Sequence, residues 1–186
     1  MKKKHIFILA SLVLVSVVAV SYYYSAFFKV GGLPGAANVP SDCSQLSIDV
    51  YQKAIAEIDS NKGQYSEKSH DLMELTTEGG HQADYRDQKG EIRLIQQTLY
   101  GETFRSEIKY YFAGINIFFT TVSRFEYDRP IYVEPEAGRK IIKVIVRDFY
   151  LNKSQEVCSW YLDKSSQQND AKTQEFIKYL ISTLPN

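Results

Sequence analysis

The side chains best suited to chemistry lie close together in the chain: His70, Asp71, Glu74, His81 and Asp84. Imidazole nitrogens and carboxylate oxygens are donors that zinc accepts, and a histidine beside a carboxylate is also the pairing of a general acid–base site. His70 and Glu74 share a face if the stretch is helical. The spacing matches no metal motif, and polar loops gather such residues by chance. A second carboxylate set, Asp128 with Glu134 and Glu136, flanks Pro130 and Pro135 and reads as a solvated loop rather than a glycosidase pair. The chain has no Gly-x-Ser-x-Gly, His-Glu-x-x-His, phosphate-loop or Gly-x-Gly-x-x-Gly motif. The expectation is therefore a non-enzymatic protein without metal or cofactor, with a hydrolase around His70–Asp84 as the alternative.

The most distinctive local run is Arg124-Phe125-Glu126-Tyr127-Asp128-Arg129-Pro130-Ile131-Tyr132. Arginine and aromatic residues interleaved on a loop are typical anchors of binding surfaces. Arg124, Tyr127, Arg129 and Tyr132 are thus the candidate binding residues. The competing reading has the tyrosines closing a sheet end and the arginines pairing with Glu126 or Asp128. Nucleic acid is a poor match for such a site, because the 149 residues from Asn38 onward carry 22 acids against 18 bases.

The elements that must position these residues follow from periodicity. Ser41 or Asp42 can cap a helix with Ile48, Tyr51, Ile55 and Ile58 on one stripe, closed by Asn61-Lys62-Gly63. Strands follow at about 83–86, 91–100, 103–112, 115–125, 141–150 and 156–161, joined mainly by short turns. Ile142, Val144 and Val146 read as the core face of their strand, and the double-sided apolar stretch around Phe118 and Phe119 asks for cover on both sides. Residues 163–170 read as a loop, and a last helix near 171–183 carries Phe176, Ile177, Leu180 and Leu184. Short loops force antiparallel pairing. The fold class expected is α+β: a meandering antiparallel sheet of five or six strands, with N- and C-terminal helices packed on one face.

Composition bounds the rest. The chain has 186 residues, zero formal charge and two cysteines. That excludes wholesale disorder and a disulfide-dense miniprotein. The neutral total hides a +4 segment, residues 1–37, with Lys2, Lys3, Lys4 and Lys29 and no acid. Residues 6–28 are apolar and long enough for a bilayer span of about 20 residues. Residues 1–28 are read as a membrane anchor or a signal peptide, residues 29–40 as a Gly/Pro linker and residues 41–186 as the exported domain. An uncleaved anchor fits the Tyr and Phe cluster before Lys29, which resembles an interfacial belt. A cleaved signal fits Ala19-Val20-Ser21 or Gly35-Ala36-Ala37. Both readings carry the domain outward, so Cys43 and Cys158 are expected to form a disulfide. Asn152-Lys153-Ser154 fits a glycosylation acceptor and is read as coincidence.

The order Thr77-Glu78-Gly79-Gly80, Tyr85, Tyr100-Gly101-Glu102, Tyr110-Tyr111-Phe112, Phe118-Phe119, Tyr127–Tyr132, Phe149-Tyr150 and Trp160-Tyr161 spans residues 77–162. It resembles small exported proteins and lipoproteins of Gram-negative bacteria, although no cysteine for lipid attachment follows the leader. The resemblance implies location and sheet topology, and it carries over no activity. The resulting expectation is a periplasmic domain, tethered to the inner membrane through residues 6–28 or released if the leader is cleaved. It would bind a protein or an envelope component. An inhibitor or immunity protein against an exported enzyme, and a carrier of an apolar ligand, are the further alternatives.

Overall fold

Residues of alternating polarity, punctuated by turn-forming Gly, Asn and Asp, lay the middle of the chain down as a run of strands. The computed structural model describes residues 39–73, 76, 78–130, 132–133 and 139–184. The leader, all but the last two linker residues, and Glu74, Glu134 and Glu136 lie outside the described residues. A single turn of 3-10 helix, Cys43–Gln45, precedes α1 (Ile48–Asn61). Eight strands follow: β1 (Ser66–Asp71), β2 (Gly80–Arg86), β3 (Ile92–Gly101), β4 (Phe104–Ala113), β5 (Asn116–Tyr127), β6 (Ile141–Leu151), β7 (Val157–Leu162) and β8 (Ser165–Gln167). The closing helix α2 spans Ala171–Ser182. Each strand pairs antiparallel with its chain neighbour, in the order β1 to β8.

The class is α+β, as expected, but the sheet has eight strands rather than five or six. Both additions are edges without apolar alternation. β1 reads Ser-Glu-Lys-Ser-His-Asp, and β8 reads Ser-Ser-Gln. The β7–β8 hairpin turns on Asp163 and Lys164, both at positive φ (47° and 69°), a tight turn normally signalled by Asn-Gly. Short polar edges also discourage pairing with other chains. At the helix start, Asp42 caps the 3-10 turn by accepting from the Ser44 amide (2.8 Å), and α1 begins later than expected, at Ile48.

The helices do not share a face, which corrects the expected layering. Tyr110 and Tyr111 are consecutive on β4 and so point to opposite sides. The Tyr111 hydroxyl donates to Asp59 on α1 (3.0 Å), whereas the Tyr110 hydroxyl donates to the Leu180 carbonyl on α2 (3.2 Å). Tyr150 and Phe149 repeat the division, meeting Tyr51 of α1 and Phe176 of α2 respectively. The α1 side buries a row in register across five strands: Tyr85, Leu94, Tyr111, Phe119 and Tyr150. Tyr51 closes it from the helix, its hydroxyl donating to the Leu151 carbonyl (2.9 Å). The α2 side holds Ile95, Ile108, Tyr110, Phe149 and Leu151 beneath Ile177 and Leu180. Between Tyr111 and Phe112 the β4–β5 register skips Phe118, and this bulge turns Phe118 as well as Phe119 toward α1.

The tyrosines give this core a pH limit. Burial pushes the Tyr51 hydroxyl up to about 12. It also raises Tyr110, and it raises Tyr111 with added repulsion from Asp59. An unfolded tyrosine ionises near about 10. A raised folded value means the neutral hydroxyl favours the fold, fully below pH of about 10, and that contribution is lost as pH climbs through about 12. Tyrosinate absorbance from these three residues is expected to appear only together with loss of the circular dichroism signal. Their ionisation with the fold intact would contradict the packing described.

Cys43 and Cys158 are bonded through their sulfurs (2.08 Å) across a sequence separation of 115. The bridge ties the turn before α1 to β7.

Candidate functional site

β5 carries its chain past the last turn of the covered sheet and ends at Tyr127, paired with Ile141 at the start of β6. The four candidate binding residues sit at or near this end, but they do not converge. Arg124 lays its guanidinium over the Phe104 ring (3.9 Å to the centroid) and pairs with Glu126 (3.4 Å). Tyr127 lies beneath the guanidinium of Arg139 (4.7 Å). Arg129 pairs with Asp128 (3.4 Å). Only Tyr132 stands open to solvent, at 63% exposure. Asp128 ties the neck of the connection, accepting from the Lys140 amide (3.0 Å), and that hydrogen bond holds its carboxyl below the usual range. Two of the arginines are therefore occupied in the way the competing sequence reading anticipated.

What the sequence reading missed lies next door. Ile142 and Val144, read as core, are 65% and 47% exposed, and Ile141 is 51% exposed. The reason is local: β7 pairs only with Arg147–Leu151, so the first half of β6 is paired to β5 alone. Val146 is the last residue tied on the outer side, where its amide donates to Asp163 (2.8 Å). Val144 is aligned with Phe125, over which Arg105 stacks (4.7 Å), on the same side of the sheet as α1. Tyr132 and Val133 add exposed apolar area, and Lys140 and Lys143 are exposed beside it. Apolar residues at alternate positions signalled a strand with one buried face; here, over residues 141–144, neither face is covered.

The cluster around His70 separates into two faces. Cross-strand pairing sets His70 opposite Gln82 and Asp71 opposite His81, so the two imidazoles point to opposite sides of the sheet. They cannot meet on one ion or one substrate, and among the described residues no group of three His, Cys, Asp or Glu side chains is placed to hold a metal. His70 instead begins a chain of polar contacts on the α2 side. Its Nε2 faces Asp84 Oδ2 (3.3 Å); Gln82 donates to Asp84 (2.7 Å); Gln97 donates to Gln82 (2.8 Å); the Tyr110 hydroxyl, its one proton shared with the Leu180 carbonyl, lies 3.2 Å from the Gln97 side-chain oxygen. Gln82, Asp84, Gln97 and Tyr110 are all buried. Every amide in this line is oriented with its N–H toward Asp84, as a buried carboxylate requires.

On the opposite side, His81 borders an open groove of about 290 Å³. Its floor is Ala83, the small residue between Tyr85 and His81, and its far wall is formed by Gln96, Thr98, Glu107 and Lys109 of β3 and β4. The end of α1 closes one side, where Lys62 donates to Gln96 and sits over the Tyr85 ring (4.3 Å). The groove's mixed polar lining contrasts with the apolar-carrier reading, for which the helix–sheet layers would have to open; there the aromatic rings are in mutual contact, as with Phe119 and Tyr150 at 4.9 Å. No known family, curated protein or solved structure matches this chain.

Proposed function

We propose that the chain is an exported, non-enzymatic binding domain of the periplasm, held at the inner membrane or released, that docks onto another protein through the β5–β6 end. The observation that carries the reading is the concentration there of exposed Tyr132, Val133, Ile141, Ile142 and Val144. Large apolar groups gathered at one place on a surface mark interaction sites, whereas scattered ones need no explanation. The outer edge of β6 before Val146 has no strand partner among the described residues, so its main-chain groups are available to an incoming segment. Lys140 and Lys143 beside the patch select an occupant that is apolar at its centre and acidic at its rim. The basic leader and the disulfide of Cys43 with Cys158 support the exported location.

Photo-crosslinkers placed in the full chain at Ile142 and at Val144, in its native cells, are expected to capture one and the same protein. A crosslinker at Gln88, in the turn between β2 and β3, should not capture it. Ile142→Asp with Lys143→Glu should lower capture at least tenfold while leaving thermal stability within a few degrees. Capture of a second copy of the chain, capture of lipid alone, or equal labelling from Gln88 would each overturn the docking assignment.

A further inference from the structure

The groove over Ala83 holds a lysine that none of its neighbours among the described residues pairs directly. Four ionisable side chains line it besides Tyr85: Glu67, His81, Glu107 and Lys109. Glu107 pairs with Arg105 (2.9 Å). Glu67 accepts from the Ser69 hydroxyl (3.3 Å) and lies close enough to Tyr85 to hold its hydroxyl neutral. Both acids are thus engaged. Lys109 is half-buried, its register partners Gln96 and Thr121 are neutral, and it has no ion pair or hydrogen bond among the described residues. The side-chain oxygen of Gln96 is taken by Lys62, which leaves the Gln96 N–H₂ as a donor beside Lys109. Thr98 and Ser69 supply hydroxyls around the same hollow.

We infer that this groove binds a small monocarboxylate, with Lys109 as its counter-ion and the Gln96 amide as the second donor. The volume lies at the low end for ligand sites, which restricts the occupant to metabolite size. Glu67 and Glu107 at the two flanks oppose a second negative charge, so a monoanion is favoured over a dianion such as phosphate. The site lies on the α1 side of β1–β4, away from the exposed tip of β6. It therefore stands or falls independently of the docking assignment.

The test is isothermal titration of the full chain in detergent with acetate, lactate and glycine, and with inorganic phosphate. At least one carboxylate is expected to bind saturably at a single site and more tightly than phosphate. Lys109→Gln is expected to weaken it at least tenfold, and Gln96→Glu to do the same by placing a carboxylate against a carboxylate. Lys68→Gln, on the exposed edge strand, should bind as the parent does. Two variants guard against a single misfolded one, since circular dichroism identifies which remains folded. Absence of saturable binding by all three carboxylates, equal affinity in Lys109→Gln, or phosphate binding as tightly as the carboxylates would overturn the assignment.

Discussion

Replacing Cys43 and Cys158 by alanine together is expected to destabilise the domain by about 4–5 kcal/mol, the chain-entropy value for a loop of this length. The bridge spans 115 residues and includes α1 and every strand up to β7. Removing it frees the unfolded chain far more than a short-range bridge would, because loop entropy grows with the logarithm of the enclosed length. For a domain of this size the melting temperature should fall by roughly 10–15 °C. Urea denaturation of the double variant, beside the parent with and without reductant, checks it. The reduced parent and the double variant should agree. A loss below about 1 kcal/mol would mean that the other N-terminal contacts, such as the Tyr51 hydroxyl on the Leu151 carbonyl, already confine the chain without the bond.

Gln82→Met is expected to be the costliest single change in the polar line. It strips Asp84 of its amide donor and leaves the Gln97 N–H₂ without an acceptor, both in the interior. An orphaned buried polar group costs about 1–3 kcal/mol and a charged one more, so the expected loss is about 3–4 kcal/mol. The companion test separates missing hydrogen bonds from mere shape. Adding Asp84→Leu to Gln82→Met removes the stranded carboxylate and should recover about 1–2 kcal/mol, a coupling of the size contacting residues show. Urea midpoints of the two single variants and the double variant give the answer. Simple additivity would show that the amides and the carboxylate do not act as one line.

The parts of the fold that could be read in advance were those in which local pattern and burial agree. Six of the strands fell where aromatic and β-branched alternation placed them, and the α2 stripe of Ile177 and Leu180 is buried as its spacing required. β1 and β8 could not be read, because an edge strand need not bury a side chain and so carries no alternation. The layering of the helices could not be read either. Nothing in the spacing of Ile48, Tyr51 and Ile58 says which side of a sheet they cover. One hint was present: β5 asked for cover on both sides, which is inconsistent with two helices on one face. For the site, Arg124–Tyr132 lies at the β5–β6 end where docking is proposed, but its two arginines are engaged by neighbouring carboxylates. Arg124 is held by Phe104, while the exposed Ile142 and Val144 looked identical in sequence to buried strand residues. The separation of His70 from His81 needed cross-strand register, a non-local quantity.

The bridge from the N-terminal turn to β7 also determines how the domain carries force. The chain enters at Val39, which is buried, and the Lys153 amide grips the Pro40 carbonyl (2.9 Å) just before the covalent link at Cys43. Tension applied between that entrance and the tip of β6 passes through the sulfur–sulfur bond into β7, and from β7 into β6 along their paired stretch. Helix α1 and strands β1 to β5 branch from this line rather than forming part of it. A pull on the N-terminal segment with the β6 tip held fast therefore meets the Pro40–Lys153 hydrogen bond, then a covalent bond and one strand pair. The groove over Ala83, on the unloaded strands, keeps its shape while the rest bears the strain.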